Sequence, residues 1–142
     1  MLKKYLFFLA LSVIQANISL AICSNPEPRI RTKFSRCDVS FVGKVISERD
    51  VTEREGGENF IVGKYFTLRV DKKFRGPEKK LNEVYEDNDS ARMWLEIGGK
   101  YLLFVKYQKD GKLQGWCDDA VEEKDKKFPN KILELRDVMK NI

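Results

Sequence analysis

The chain has 142 residues, with 27 basic and 22 acidic side chains, a formal net charge of +5, three cysteines and no histidine. The missing histidine excludes Ser-His-Asp and Cys-His catalysis within the chain, and three cysteines are too few for a four-cysteine zinc site. The mild positive surplus, spread over mixed-sign charge, falls well short of the dense basic field of a dedicated nucleic-acid binder.

At the N-terminus, Lys3 and Lys4 precede the apolar run Tyr5 to Ile14, and Ser19-Leu20-Ala21 supplies small residues at a cleavage point. Residues 1–21 therefore read as a secretory signal, too short in its apolar part for the roughly 20 residues that span a bilayer. Residues 22–142 form one domain, its charge reduced to 25 − 22 = +3 by loss of the two signal lysines. The expected location is extracellular, or the periplasm in a Gram-negative host. Three N-termini stay open. Cleavage after Ala21 leaves Ile22 first, and cleavage after Ile22 leaves Cys23 first. Leu20-Ala21-Ile22-Cys23 also resembles a bacterial lipobox, which would place a lipid on Cys23 and make the membrane a partner.

Ile30, Phe34 and Cys37 at i, i+4 and i+7 predict a short helix over Pro28 to Cys37, with a basic polar side of Arg29, Arg31, Lys33 and Arg36. Asp38 to Glu48 changes to period two, with a bend at Gly43. Arg49 to Asn59 reads as a hairpin loop, or as strand ends projecting past the body, around Gly56-Gly57. The next strand runs from Phe60 to Phe74, with Phe66, Leu68, Val70 and Phe74 in phase, and ends at Arg75-Gly76-Pro77. Leu81 to Tyr85 is a third strand, Glu86 to Ser90 a polar loop, and Met93-Trp94-Leu95 a return to the core. Tyr101 to Tyr107 is the most apolar strand, and Asp110-Gly111 turns it into Leu113 to Cys117. A charged linker from Glu122 to Lys127 leads to a last helix opened by Pro129, with Ile132, Leu135 and Val138/Met139 as its buried stripe. Five short strands between two helices predict a mainly β domain, a closed barrel or sandwich.

No two carboxylates are spaced as an acid–base couple, so the chain reads as a non-enzyme without cofactors. Trp94 and Trp116 have apolar neighbours and are expected in the core. Lys72, Lys73, Arg75, Lys79 and Lys80 cluster around one turn, a solvated turn or a basic patch for an anionic surface. Tyr65, Tyr101 and Tyr107 offer aromatic faces on strands, but their period-two placement and an exported chain argue against nucleic acid. Export favours one disulfide. Cys37 lies on the apolar face of the first helix as a reduced thiol, which leaves Cys23 and Cys117 as the pair.

Cys23-Ser24, the short helix ending in Asp38-Val39, and Phe41-Val42-Gly43-Lys44-Val45 resemble the opening of the tissue inhibitors of metalloproteinases and the wider netrin-like domains. The resemblance continues through Lys73-Phe74-Arg75-Gly76-Pro77-Glu78-Lys79, Leu95-Glu96-Ile97-Gly98-Gly99-Lys100-Tyr101-Leu102, Asp110-Gly111-Lys112-Leu113 and Cys117-Asp118, in the family's order. It implies a five-stranded OB-type barrel with a short N-terminal and a C-terminal helix, in a small single-domain member over 22–142. It also implies a monomer that inhibits or docks on a zinc metalloprotease. The chain would have no metal of its own: the amine and carbonyl of Cys23 would contact the partner's zinc, Ser24 would enter the adjacent pocket, and Ser90, Ala91 and Arg92 would make a second contact edge. Asn25 stands where the family has a second early cysteine, and no cysteine lies near Ala91. The alternative is a netrin-like protein-binding module without inhibition.

Overall fold

A computed structural model describes residues 29–89 and 91–142. Helix α1 (Ile30–Arg36) is followed by strands β1 (Val39–Glu55), β2 (Glu58–Arg75), β3 (Leu81–Asp87), β4 (Lys100–Tyr107) and β5 (Leu113–Gln114). A 3₁₀ turn (Cys117–Asp119), strand β6 (Ala120–Glu122) and helix α2 (Phe128–Lys140) complete the described chain. The expected mainly β domain with one helix before the strands and one after them is what forms. The expected signal segment, residues 1–21, and both residues of the Cys23-Ser24 pair lie outside the described residues.

The strands pair β1–β2–β3–β5–β4, and β4 returns to β1, so five of them close a ring. All pairings are antiparallel except the single β3–β5 contact, Tyr85 opposite Gln114. That narrow seam is reinforced by Gln114 Nε2 donating to Asp87 Oδ2 at 2.6 Å. The sixth strand adds to the outer side of β4, from Leu103 opposite Ala120 to Tyr101 opposite Glu122. The sequence expectation counted five strands because three residues beside a charged linker are too few to display a period.

Alternation sorts the apolar residues into two cores. Val39, Phe41 and Val45 of β1, Phe66 and Leu68 of β2, and Tyr101, Leu103 and Val105 of β4 fill the ring with Val84, Met93, Leu95 and Leu113. The opposite faces of β1 and β4 supply Val42, Leu102 and Phe104 to a second core under the helices, with Ile30, Phe34, Leu135 and Val138. Burial on both faces explains why β4 reads as an unbroken apolar run. At seven residues, α1 is too short to persist alone and depends on this second core.

Three expectations need correction. Phe74 is out of phase with Phe66 and Leu68: the register with β1 slips by one residue on either side of Phe41-Val42, and Phe74 turns into the helix-side core. Lys33 is buried, donating its Nζ to the carbonyl of Asp118, so the basic side of α1 is only partly solvated. Trp94 and Trp116 are 58% and 42% exposed, not core residues.

Candidate functional site

The segment from Asn88 to Leu95, which contains Ala91 and Arg92, is irregular but held at several of its described residues. It begins on the edge of β2. The backbone N–H of Asn88 donates to the carbonyl of Val62 at 3.0 Å, and its side-chain amide donates to Ile61 at 3.2 Å. Asp89 Oδ1 then accepts the Ala91 N–H at 2.9 Å, a local side-chain turn of the kind Asp favours. The carbonyl of Ala91 accepts the Cys117 N–H at 2.9 Å. This bond sets the loop directly against the 3₁₀ turn.

Met93 and Leu95 enter the ring core, and Trp94 between them points to solvent. Trp94 has φ = +60°, the only non-glycine in the left-handed region among the described residues. Such a backbone costs on the order of 1–3 kcal/mol and persists only where the surroundings over-determine it. Here the two flanking side chains are buried, and Glu86 catches the N–H of Trp94 at 2.5 Å. Glu86 is itself buried on β3. Burial pushes its carboxyl above the ordinary range, while bonds from the Trp94, Leu95 and Met93 amides and the charge of Arg92 pull it back. Past Leu95, the N–H of Glu96 donates to the Tyr101 hydroxyl at 3.2 Å, and Gly98 and Gly99 exchange bonds with Val45.

Arg92 lies over the Trp94 ring, its guanidinium carbon 3.7 Å from the centroid, and donates from Nη1 to Asn88 Oδ1 at 3.0 Å. A large aromatic is thus held outward by its backbone and stiffened by a stacked cation, which lowers the entropy lost when a partner covers it. Two clefts border it. One of about 400 Å³ is bordered by Met93, Trp94, Tyr101 and Cys117. A smaller one, about 200 Å³, runs between Trp94 and the Glu48–Lys64 pair.

The turn on the far side of Ala91 is fixed as firmly. Asp119 Oδ2 accepts the Trp116 N–H at 2.9 Å, and Lys33 reaches the carbonyl of Asp118 from α1. Burial raises the Asp119 carboxyl, opposed by the Trp116 amide and by Lys33. Gly115 lets the two segments approach: a Cβ there would sit 2.9 Å from Met93 Sδ and 3.1 Å from Val105 Cγ1. Cys117 is disulfide-bonded, and Cys37 is a buried free thiol. Burial pushes that thiol up while Arg75 pulls it down. A buried, protonated thiol is inert.

Of the residues singled out in the sequence, Ala91, Arg92 and Cys117 come together at this edge. Cys23, Ser24 and Ser90 lie outside the described residues. The sequence reading missed Trp94, Glu86 and Trp116 as members of the site. Trp94 was findable, since a tryptophan alternating with Met93 and Leu95 faces away from whatever they face. The other candidates disperse. Arg75 is spent on α1, where Nη1 donates to the carbonyls of Phe34 and Cys37 and the guanidinium stacks on the Phe34 ring. Lys73 pairs with Glu78 at 2.5 Å. Tyr101 is in the core, and Tyr65 packs on Tyr85 at 5.1 Å and under Arg49. Among the described residues, no helix is long and apolar enough to cross a membrane. The chain matches no known protein-family model and no curated protein.

Proposed function

We propose that this chain is a secreted protein of the metalloproteinase-inhibitor type, docking on a zinc endopeptidase through one edge made of its N-terminus and the Asn88–Leu95 loop. The observation that carries the reading is the bond from the Cys117 amide to the Ala91 carbonyl. With Cys23 bridged to Cys117, the first residues of the secreted chain are tethered within a few residues of Arg92 and Trp94. An N-terminal cysteine amine and its carbonyl are two ligands for the open position of a catalytic zinc, and their arrival displaces the attacking water. Ser24 enters the adjoining pocket, and Ser90, Ala91 and Arg92 form the second contact edge, to which Trp94 adds an exposed aromatic anchor. We read the closed ring as an OB-type barrel. Its support is the strand order 1-2-3-5-4-1 with its one parallel pairing, β3 to β5.

The test is inhibition of a panel of zinc endopeptidases by folded protein beginning at Cys23. Inhibition at about 1 μM or below is expected. Acetylation of the amine should abolish it, and Trp94→Ala should weaken it about 10- to 100-fold. A folded, disulfide-bonded protein that leaves every member uninhibited overturns the reading. One observation favours a second reading, a netrin-like binding module without inhibition: cleavage after Ala21 would leave Ile22 first and turn the cysteine amine into an amide, a poor metal ligand. The loop would then serve as the whole interface.

A further inference from the structure

The β1–β2 hairpin runs well past the ring, and one of its edges has no partner strand among the described residues. β4 covers β1 only from Val39 to Lys44, and Val45 exchanges two 2.9 Å bonds with Gly98 and Gly99. From Ile46 to Glu55 no described strand pairs with the outer edge of β1. Which backbone groups that edge presents follows from the hairpin turn. A two-residue turn at Gly56-Gly57 makes Glu55 and Glu58 a hydrogen-bonded pair. From Ser47 to Glu55, β1 has no extra residue of its own, because the irregularity there adds Val62 to β2. Alternation therefore turns the N–H and C=O of Arg49, Val51 and Glu53 toward β2, and those of Glu48, Asp50, Thr52 and Arg54 outward.

We propose that this edge pairs antiparallel with the same edge of a second copy of the chain, with the two-fold axis at Val51. Two-fold pairing must set outward residues against outward residues, which removes every second register. Centred on Asp50, the pairing opposes that carboxylate to its own copy. Centred on Val51, it sets Glu48 opposite Arg54 and Arg49 opposite Glu53, each twice. Centring on Thr52 also matches charge, through Arg49 with Glu55 and Asp50 with Arg54, but it places Val51 against Glu53. The Val51 register instead brings two half-buried valines together at a non-hydrogen-bonded position, where side chains approach most closely. Phe60, 48% exposed and opposite Glu53, shares that face and gains cover. Charged edges normally repel other strands. The alternating signs of Glu48 to Arg54 do so for most partners while matching this one.

Sedimentation of the full secreted protein tests the proposal, with a concentration-dependent monomer–dimer equilibrium expected. Glu53→Arg sets arginines opposite each other twice and should raise the dissociation constant about tenfold or more. The exchange Arg49→Glu/Glu53→Arg should recover it. Mild oxidation of Val51→Cys should give a crosslinked dimer that reduction dissolves. A monomer up to about 1 mM, a dimer indifferent to Glu53→Arg, or crosslinking through Thr52→Cys in place of Val51→Cys would each overturn the proposal. The edge shares no residue with the Asn88–Leu95 loop, so the protease reading can fail without touching this one.

Discussion

Trp94 and Glu86 form one device. The carboxylate under the loop accepts the amide of a residue whose backbone would otherwise relax out of the left-handed region. Because the folded-state carboxyl is raised above its ordinary value, the folded protein binds that proton more tightly than the unfolded chain does. The stability this proton contributes is full below the unfolded value near 4.5 and is lost as pH rises through the raised value. Glu86→Gln keeps an accepting oxygen and removes the titration. Denaturation across pH 4 to 7 should therefore show the wild type losing stability relative to Glu86→Gln as pH rises. A wild type that gains on the variant over that range would mean the carboxylate is net favoured by its surroundings. Trp94's outward face was legible from its alternation with Met93 and Leu95, but Glu86's part was not: it sits in an acidic, strand-ending stretch that resembles any polar loop, and only the chain's return at Trp94 encloses it.

At the scale of elements, periodicity gave what it physically encodes. α1 and α2 are legible because one face of each is apolar at its own period, β1 by its alternation and β4 as an unbroken apolar run, and the hairpin is legible because Gly56-Gly57 suits a turn with positive φ at both positions. Register slips are not encoded that way. Phe74 looks in phase with Leu68 until an extra residue in the ladder turns it to the other core. Nor does a three-residue strand such as β6 carry enough alternation to be seen. Lys33 reads as solvated because its acceptor, the Asp118 carbonyl, lies 85 residues away. Gly115 is a further case, silent in the sequence yet the point where β5 leaves room for the loop. Gly115→Ala would press on Met93 and Val105 and should cost about 1–3 kcal/mol by chemical denaturation. It should also speed amide exchange at Cys117, whose bond to Ala91 depends on that approach. An unchanged exchange rate there would show that the loop holds its place without Gly115.

At the scale of the whole molecule, two cores share the sheet as a wall, and the helix-side core fixes α1, whose Lys33 in turn holds the 3₁₀ turn beside the loop. Leu135 is fully buried where α2 closes that core. Leu135→Ala should destabilise the protein by about 2–5 kcal/mol, measured by denaturant unfolding. A loss under 1 kcal/mol would place α2 outside the cooperative unit. The chain of support from α2 through α1 to the Cys117 turn makes the proposed docking edge a property of the entire fold. Its most exacting requirement is chemical: a free cysteine amine, tethered by a disulfide to Cys117. Intact mass of the protein recovered from its native host, before and after reduction, tests this most directly. The account predicts a chain beginning at Cys23 that gains one pair of hydrogens on reduction. A chain beginning at Ile22, or one carrying a lipid on Cys23, would contradict it.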